Sequence, residues 1–427
     1  MQNFVILLIH FHEKSKNPIM RLFKTTLLFL ILFAVQPLRA QIDSLVYGVQ
    51  PLAIDTAAKG ELRVSIEAMP FLRDNEYKSK LVKGYTLPGI WLDPMVSYQP
   101  LRNLKIDLGT HLLHFWGAHK YPNFNYSGLA GWQGNSTQNG FHAVPIFRVQ
   151  MQLAHNLNVL VGTLHGKSNH GLITPLYNDE LNLSADPETG VQVLWHTRPF
   201  TLDAWVNWES FIFHNDKGQE SFSFGLSTRF RPSRSSARVQ CYLPLQAVFQ
   251  HRGGEINPEA PDRMVKTWFN AAAGVGVDIP LATHLPAALN FEADAAYFGQ
   301  QAGTLLPFNS GYGLFLQASA RVWRCKLSLG YWHCNDFVSI FGNPLYGTLS
   351  LAHEGLTFSK PHNLTAHLEY AQQLGKGFAW GIHADVLNQF SANSYSPTEG
   401  LQRQASSLNF AAGIYVRVFP SFLIKKF

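Results

Sequence analysis

The sequence predicts a transmembrane antiparallel up-and-down β-barrel, and three observations carry that prediction. About sixteen stretches of 10–14 residues between Leu62 and Phe419 alternate apolar and polar side chains with a period of two. The gaps between them run short, long, short, long. No segment after residue 40 stays apolar for the ~20 residues that a spanning helix needs. Successive side chains on a strand point to opposite faces, so each stretch has one apolar and one polar face. A soluble sandwich shows the same local alternation, but it has no reason to sort its loop lengths by parity. A barrel with tight turns on one side of the membrane and longer loops on the other does.

The elements follow in chain order. Met20 opens a secretion leader, with Arg21 and Lys24 as its charged part and Leu27–Val35 as its apolar core. Leu38-Arg39-Ala40 ends before a cut at Gln41, so residues 1–40 are expected to be upstream residues plus a leader cleaved after Ala40. Residues 41–61 read as an extended periplasmic lead-in and residues 62–427 as the barrel. The connections Pro100–Arg102, Ala154–Asn156, Pro199–Phe200, Pro280–Leu285, Trp323 and Leu374–Gly375 are short, and Arg231–Ala237 is intermediate. The connections Arg73–Thr86, Gly117–Phe141, Gly166–Pro187, His251–Val265, Gly299–Ser310, Cys334–Pro361 and Gln389–Ala405 are long, and His214–Gln219 is intermediate. This order predicts an even strand count, about 16 (14–18), with both termini on the short-turn, periplasmic side. The strands themselves alternate cleanly. Leu289, Phe291, Ala293, Ala295 and Tyr297 stand against Asn290, Glu292 and Asp294. Tyr312, Leu314, Leu316, Ala318, Ala320 and Val322 stand against Gln317, Ser319 and Arg321.

Composition fits a wet-inside, greasy-outside wall. Charged residues make up 15% of the chain, below the roughly 25% of ordinary soluble domains. The net charge of +6 owes most of its excess to the first forty residues, which carry five basic side chains and one acidic one. No basic run interleaved with aromatics remains, which excludes nucleic acid as a partner. Cys241, Cys325 and Cys334 are odd in number and lack metal-type spacing. No cofactor is expected.

Parity assigns an inward, pore-lining set: Lys105, Asp107, Asp203, Asn207, Glu209, Arg229, Glu292, Asp294, Arg321, His367, Glu369, His383, Asp385 and Arg417. Sixteen strands leave an aqueous interior, and charges of both signs on its wall suit polar solutes. Aromatics near strand ends, among them Trp91, Phe115, Trp116, Trp195, Trp205, Trp208, Trp268 and Trp332, read as an interfacial girdle. In the long loop Gly117–Phe141, Tyr121, Phe124, Tyr126 and Trp132 among Gly, Asn and Gln are candidates for stacking on a saccharide. Two further loops each carry Pro-Leu-Tyr in an apolar stretch, at Pro175–Tyr177 and Pro344–Tyr346. Solvated loops do not need such stretches. They are expected either to fold into the mouth or to pack on each other and the rim.

Catalytic signals are sparse. Leu164–Gly171 loosely resembles the His-x-Ser-Asn-Gly motif of outer-membrane phospholipase A, in which a histidine activates a serine. Here two residues separate His165 from Ser168, which on a strand places them on opposite faces. His165 and Ser168 are the weak catalytic candidates. The pairs His111 with His114, His165 with His170 and His362 with His367 lack the i, i+2 spacing that would set two metal ligands on one strand face. No phosphate-cradling glycine loop is present.

By architecture, residues 62–427 resemble a Gram-negative outer-membrane β-barrel of the porin-like size class. The resemblance implies residence in the outer membrane among its lipids and lipopolysaccharide, and insertion by the outer-membrane assembly machinery, which reads a final strand ending in an aromatic. Phe427 fits that signal, whereas Lys425 and Pro420 depart from it. Either the last strand stops near Phe419 or the signal is of a divergent type. The expected function is a channel or transport protein for small polar solutes or saccharides. The alternatives are a surface-polysaccharide assembly or export factor and a barrel hydrolase acting on lipid or glycan.

Overall fold

Alternation at period two forces each strand to turn one face to lipid, and the only way to satisfy every backbone group in a bilayer with strands is to close the sheet. The computed structural model describes residues 45–47, 53–116, 142–210, 219–234, 237–254, 264–281 and 286–427. Sixteen wall strands run antiparallel in chain order. The first eight are β1 (Glu61–Glu76), β2 (Tyr85–Leu101), β3 (Leu104–Phe115), β4 (His142–Ala154), β5 (Leu157–Thr163), β6 (Thr189–His196), β7 (Phe200–Ser210) and β8 (Ser221–Phe230). Then follow β9 (Gln240–Arg252), β10 (Lys266–Leu281), β11 (Ala287–Ala302), β12 (Ser310–Val322), β13 (Cys325–Asn335), β14 (His362–Gln373) and β15 (Phe378–Gln389). The last, β16, has two parts, Ser407–Val418 and Ser421–Lys426. No helix among the described residues is long and apolar enough to cross a membrane.

β1 closes the cylinder against both parts of β16. Ala68 faces Val418 and Glu76 faces Phe410 in the upper part, and Ser65 faces Ser421 in the lower. Pro420 has no N–H to give and interrupts the strand, yet its carbonyl still accepts from Ile66 N at 3.2 Å. The strand therefore does not stop near Phe419; it resumes and pairs to Lys426. Gly60 leaves just enough room for this end, since a Cβ there would lie 2.3 Å from the Phe427 carbonyl oxygen.

The outer face is the expected apolar one, with Val275, Phe291, Leu316, Leu329, Leu364 and Ile414 exposed. The inside is not an open tube. Leu45 and Val46, expected in a periplasmic lead-in, are buried against wall residues including Met69, Phe71 and Trp91, and Arg417 donates to the Leu45 carbonyl at 3.4 Å. The girdle expectation also fails for Trp91, Phe115, Trp205, Trp268 and Trp332, which are buried, whereas Trp116, Trp195 and Trp208 are exposed as expected. The buried rings sit on the inward parity and pack against loops. The physical reason is that those loops enter the cylinder and need apolar partners there.

Candidate active site

Two connections fill the outer half of the interior. The loop after β13 sends Phe337, Val338, Ile340, Leu345 and Tyr346 onto Trp268, Phe298, Phe315 and Trp332 of the wall, together with Ile173 and Leu176 of the loop after β5. The two loops lock by their backbones. Asn178 N donates to Phe341 O at 2.8 Å, Asn343 N to Thr174 O at 3.3 Å, and Ser339 Oγ to Pro175 O at 2.6 Å. Both Pro-Leu-Tyr segments thus enter the mouth and pack on each other. Wall amides clasp them from outside. Asn270 donates to Val338 O and accepts from Ile340 N, each at 2.8 Å. Gln246 accepts from Ile173 N at 2.9 Å and donates to Gly171 O at 3.1 Å. Each buried amide is satisfied at both ends, which makes the clasp specific as well as stable.

Leu164–Glu188 carries the densest chemistry. Gly166 lets the Glu188 carboxyl approach so closely that a Cβ would lie 2.6 Å from its carbon. Lys167 follows in the left-handed region at φ 61, its N–H donating to Glu188 Oε1 at 2.9 Å. A non-glycine residue held there costs energy that the surrounding bonds must offset. Ser168 N donates to Asn182 Oδ1 at 3.1 Å, and Asn182 Nδ2 donates back to Ser168 Oγ at 2.7 Å. That bond leaves the serine proton free to be given elsewhere.

Two histidines five residues apart end in opposite states. His170 places Nδ1 2.7 Å from Asp203 and Nε2 2.8 Å from Glu188, and its ring stacks on Trp205 with centroids 3.5 Å apart. Both nitrogens must then donate, so the ring is an imidazolium. Burial alone would push it down, but the two carboxylates outweigh burial and raise its pKa to about 9. Burial likewise works against the Glu188 carboxylate, and His170 outweighs it and lowers the acid. His165 has no carboxylate beside it. Burial, then Arg148, Lys105 and His170, hold it well below the usual histidine range. Its Nε2 lies 3.4 Å from Gln150 Oε1, and its backbone is held by the Gln192 side chain at 2.9 and 3.0 Å. His165 is therefore neutral at ordinary pH. Groups driven apart in this way by their surroundings are the mark of an acid–base site.

The inward set is placed as follows. Arg229, Glu292, Arg321, His367, Glu369, His383 and Asp385 line a polar cavity of about 470 Å³ beneath the loops. Most are paired. His367 Nδ1 binds Asp385 and its Nε2 lies 3.4 Å from Glu369; Lys326 lies 3.6 Å from Glu369. His383 Nε2 is 3.0 Å from Asp385, and Arg229 is 3.9 Å from Glu292. Asp107 takes Lys105 at 3.1 Å and Arg148 at 3.4 Å, and Arg417 reaches Glu67 at 2.7 Å. Glu209 accepts from Ser221 at 2.7 Å, Asn207 from Thr189 N at 2.8 Å, and Asp294 is buried. Asp203 is covered by His170 and Gln192, so it is not open wall. Among the described residues no hydrogen bond joins His165 to Ser168, and both lie on the inner loop, not on an outer barrel face. Tyr121, Phe124, Tyr126 and Trp132 lie outside the described residues. No metal-holding group of three His, Cys, Asp or Glu occurs among the described residues.

Sequence reasoning weighed His170 only as a metal ligand, and it missed Glu188, Asn182 and the clamp on the loop's one-turn helix. There Glu180 accepts from Asn75 at 2.8 Å, pairs with Arg73 at 3.0 Å and accepts from Tyr85. The signal available was slight: Gly166 and Gly171 bracketing four polar residues, opposite an inward Trp205.

Three solved outer-membrane structures resemble the chain at low identity. OccK8 (OprE) of Pseudomonas aeruginosa is 12% identical over 86% of this chain and 99% of that one, with a TM-score of 0.46. The outer membrane protein opdK of Pseudomonas aeruginosa is 9% identical over 85% and 100%, with a TM-score of 0.48. OmpT of Vibrio cholerae is 8% identical over 84% and 99%, with a TM-score of 0.44. Among curated proteins none matches. The family model described as lipid A 3'-O-deacylase-type matches residues 54–427, every strand of the wall included, and the chain belongs to that family.

Proposed function

We propose that the chain is an outer-membrane hydrolase that releases an ester-linked acyl chain from lipid A-type glycolipids. Family membership supplies the substrate class, and the observation that carries the reading is the interlocked pair of loops. They fill the outer mouth with an apolar core, which a passive conduit has no use for, and one of them carries a neutral histidine three residues from a serine. His165 is the general base. Its neutral ring is free to take a proton, whereas both nitrogens of His170 and of His367 already face carboxylates. Ser168, or a water in its place, is the group His165 activates, and Lys167, Asn182 and Glu188 fix the turn that carries the hydroxyl. In apo geometry such contacts are often long and tighten only with substrate bound.

The test is mass spectrometry of lipopolysaccharide incubated with the purified protein in detergent. Loss of one acyl chain is expected, and His165→Asn should lower the rate by on the order of 100-fold or more while heat-modifiable migration on gels stays normal. Unchanged lipid profiles with the wild-type protein would end this reading. The second reading, a channel for polar solutes, rests on the charged 470 Å³ cavity. It requires steady conductance steps in planar bilayers from the unaltered chain.

A further inference from the structure

The wall is not of even height. β5 and β6 have 7 and 8 residues, against 13 in β4 and 11 in β7. Their pairing stops at Arg148↔Gly162 on one side and Gly190↔Asn207 on the other. Above that level β4 runs on through His142–Phe147 with a ladder to β3 alone, and β7 runs on through Trp208 and Ser210 with a ladder to β8 alone. Among the described residues, Thr163 Oγ1, which accepts from Phe147 N at 3.1 Å, and Asp186, 2.7 Å from His142, are what the free β4 edge meets. Six missing residues beside β4 and three beside β7, at about 3.3 Å each on strands tilted about 40°, lower the wall by about 15 Å on one side and about 8 Å on the other. The apolar band of such barrels is only about 25 Å tall. Strands of 7 and 8 residues also fall short of the 9–11 that span a bilayer. The drop therefore lies in the outer half of the membrane.

Beneath the gap the outward residues are apolar, Val161 and Val191, both exposed. Directly above them stand Leu164–Ser168 and Glu188, the turn that holds the candidate site. Its carboxylates are spoken for, Asp186 by His142 and Glu188 by His170. Among the described residues no carboxylate lies within ion-pair distance of the Lys167 ammonium, although Asp93, Asp186, Glu188 and Glu67 act on it from further off. We propose that the low sector at β5–β6 is a lateral doorway through which an acylated, phosphorylated glycolipid of the outer leaflet presents its acyl ester to the Leu164–Glu188 turn, with Lys167 meeting a phosphate. The proposal rests on the hydrolase reading for its chemistry. It does not rest on it for its geometry, since among the described residues two interlocked loops occupy the mouth above this turn while the wall beside it is low. Burial lowers the Lys167 pKa against the opposing pull of Asp93, Asp186, Glu188 and Glu67.

The doorway is tested by a benzophenone side chain introduced at Thr189, which is exposed at the top of β6 on the lipid-facing parity. The same group at Glu76, at the top of the full-height β1, serves as control. The full chain is placed in vesicles of phosphatidylethanolamine and purified lipopolysaccharide, illuminated, and its adducts read by mass spectrometry. Lipopolysaccharide acyl adducts are expected at Thr189 and not at Glu76. Equal yields at both positions, or none at Thr189, overturn the doorway. Adding Lys167→Gln should lower the lipopolysaccharide adducts several-fold and leave phosphatidylethanolamine adducts unchanged; an equal loss of both removes the phosphate contact. Because crosslinking needs no turnover, adducts without deacylation sink the hydrolase alone, and deacylation without adducts sinks the doorway alone.

Discussion

His165 and His170 lie on one turn of chain, yet one is held neutral and the other charged, because carboxylates reach only the second. The charge on His170 has a consequence for pH. A histidine raised to about 9 in the fold, against about 6.5 unfolded, stabilises fully below pH 6.5 and progressively less as pH rises through 9. The contribution is about 3 kcal/mol at most. Hydrogen exchange of the Lys167–Gly171 amides should therefore quicken between pH 7 and pH 10 beyond the intrinsic rise. His170→Asn should abolish that extra step. An identical pH response in the variant would show that His170 does not clamp the turn.

At the scale of elements, the loops rather than the strands decide what the interior is. Asn270 holds two backbone groups of the loop after β13, and losing both bonds while leaving the loop groups unpaired should cost roughly 1–3 kcal/mol each. Asn270→Ala is expected to admit bursts of ion conductance in planar bilayers from a chain that is otherwise silent. A steady conductance already present in the unaltered protein would mean that the loops do not seal the mouth. The strands answer to lipid instead. Leu316→Arg puts a charge on the exposed outer face of β12, at roughly 2–4 kcal/mol if it lies at mid-bilayer. Reduced yield of the heat-modifiable band should follow, and normal assembly would mean that this face is not in acyl chains.

For the whole molecule, the proposed hydrolase reading makes the surrounding membrane, rather than a passing solute, the thing the barrel works on. Deleting the protein from its outer membrane should then leave extra acyl chains on lipid A without altering uptake of small sugars. The opposite pattern would favour transport.

Much of this was legible in the residues. Period two, loop parity and the scarcity of charge are local properties, set by the pleat and by the solvent each face meets, so a barrel of about sixteen strands could be read directly. Cross-strand pairs such as His367 with Asp385 follow from parity once the register is known. Trp268 and Trp332 could have been assigned inward by parity with Asn270 and Ser328, had strand-end position not suggested a girdle. What only the tertiary structure decided are contacts between residues far apart in the chain: Ser339 on Pro175, Glu180 on Asn75, His170 on Asp203. No spacing encodes them, because loop closure leaves a long connection free to go out into water or back into the cylinder. The balance is struck by apolar surface and amide bonds that exist only when both loops are home.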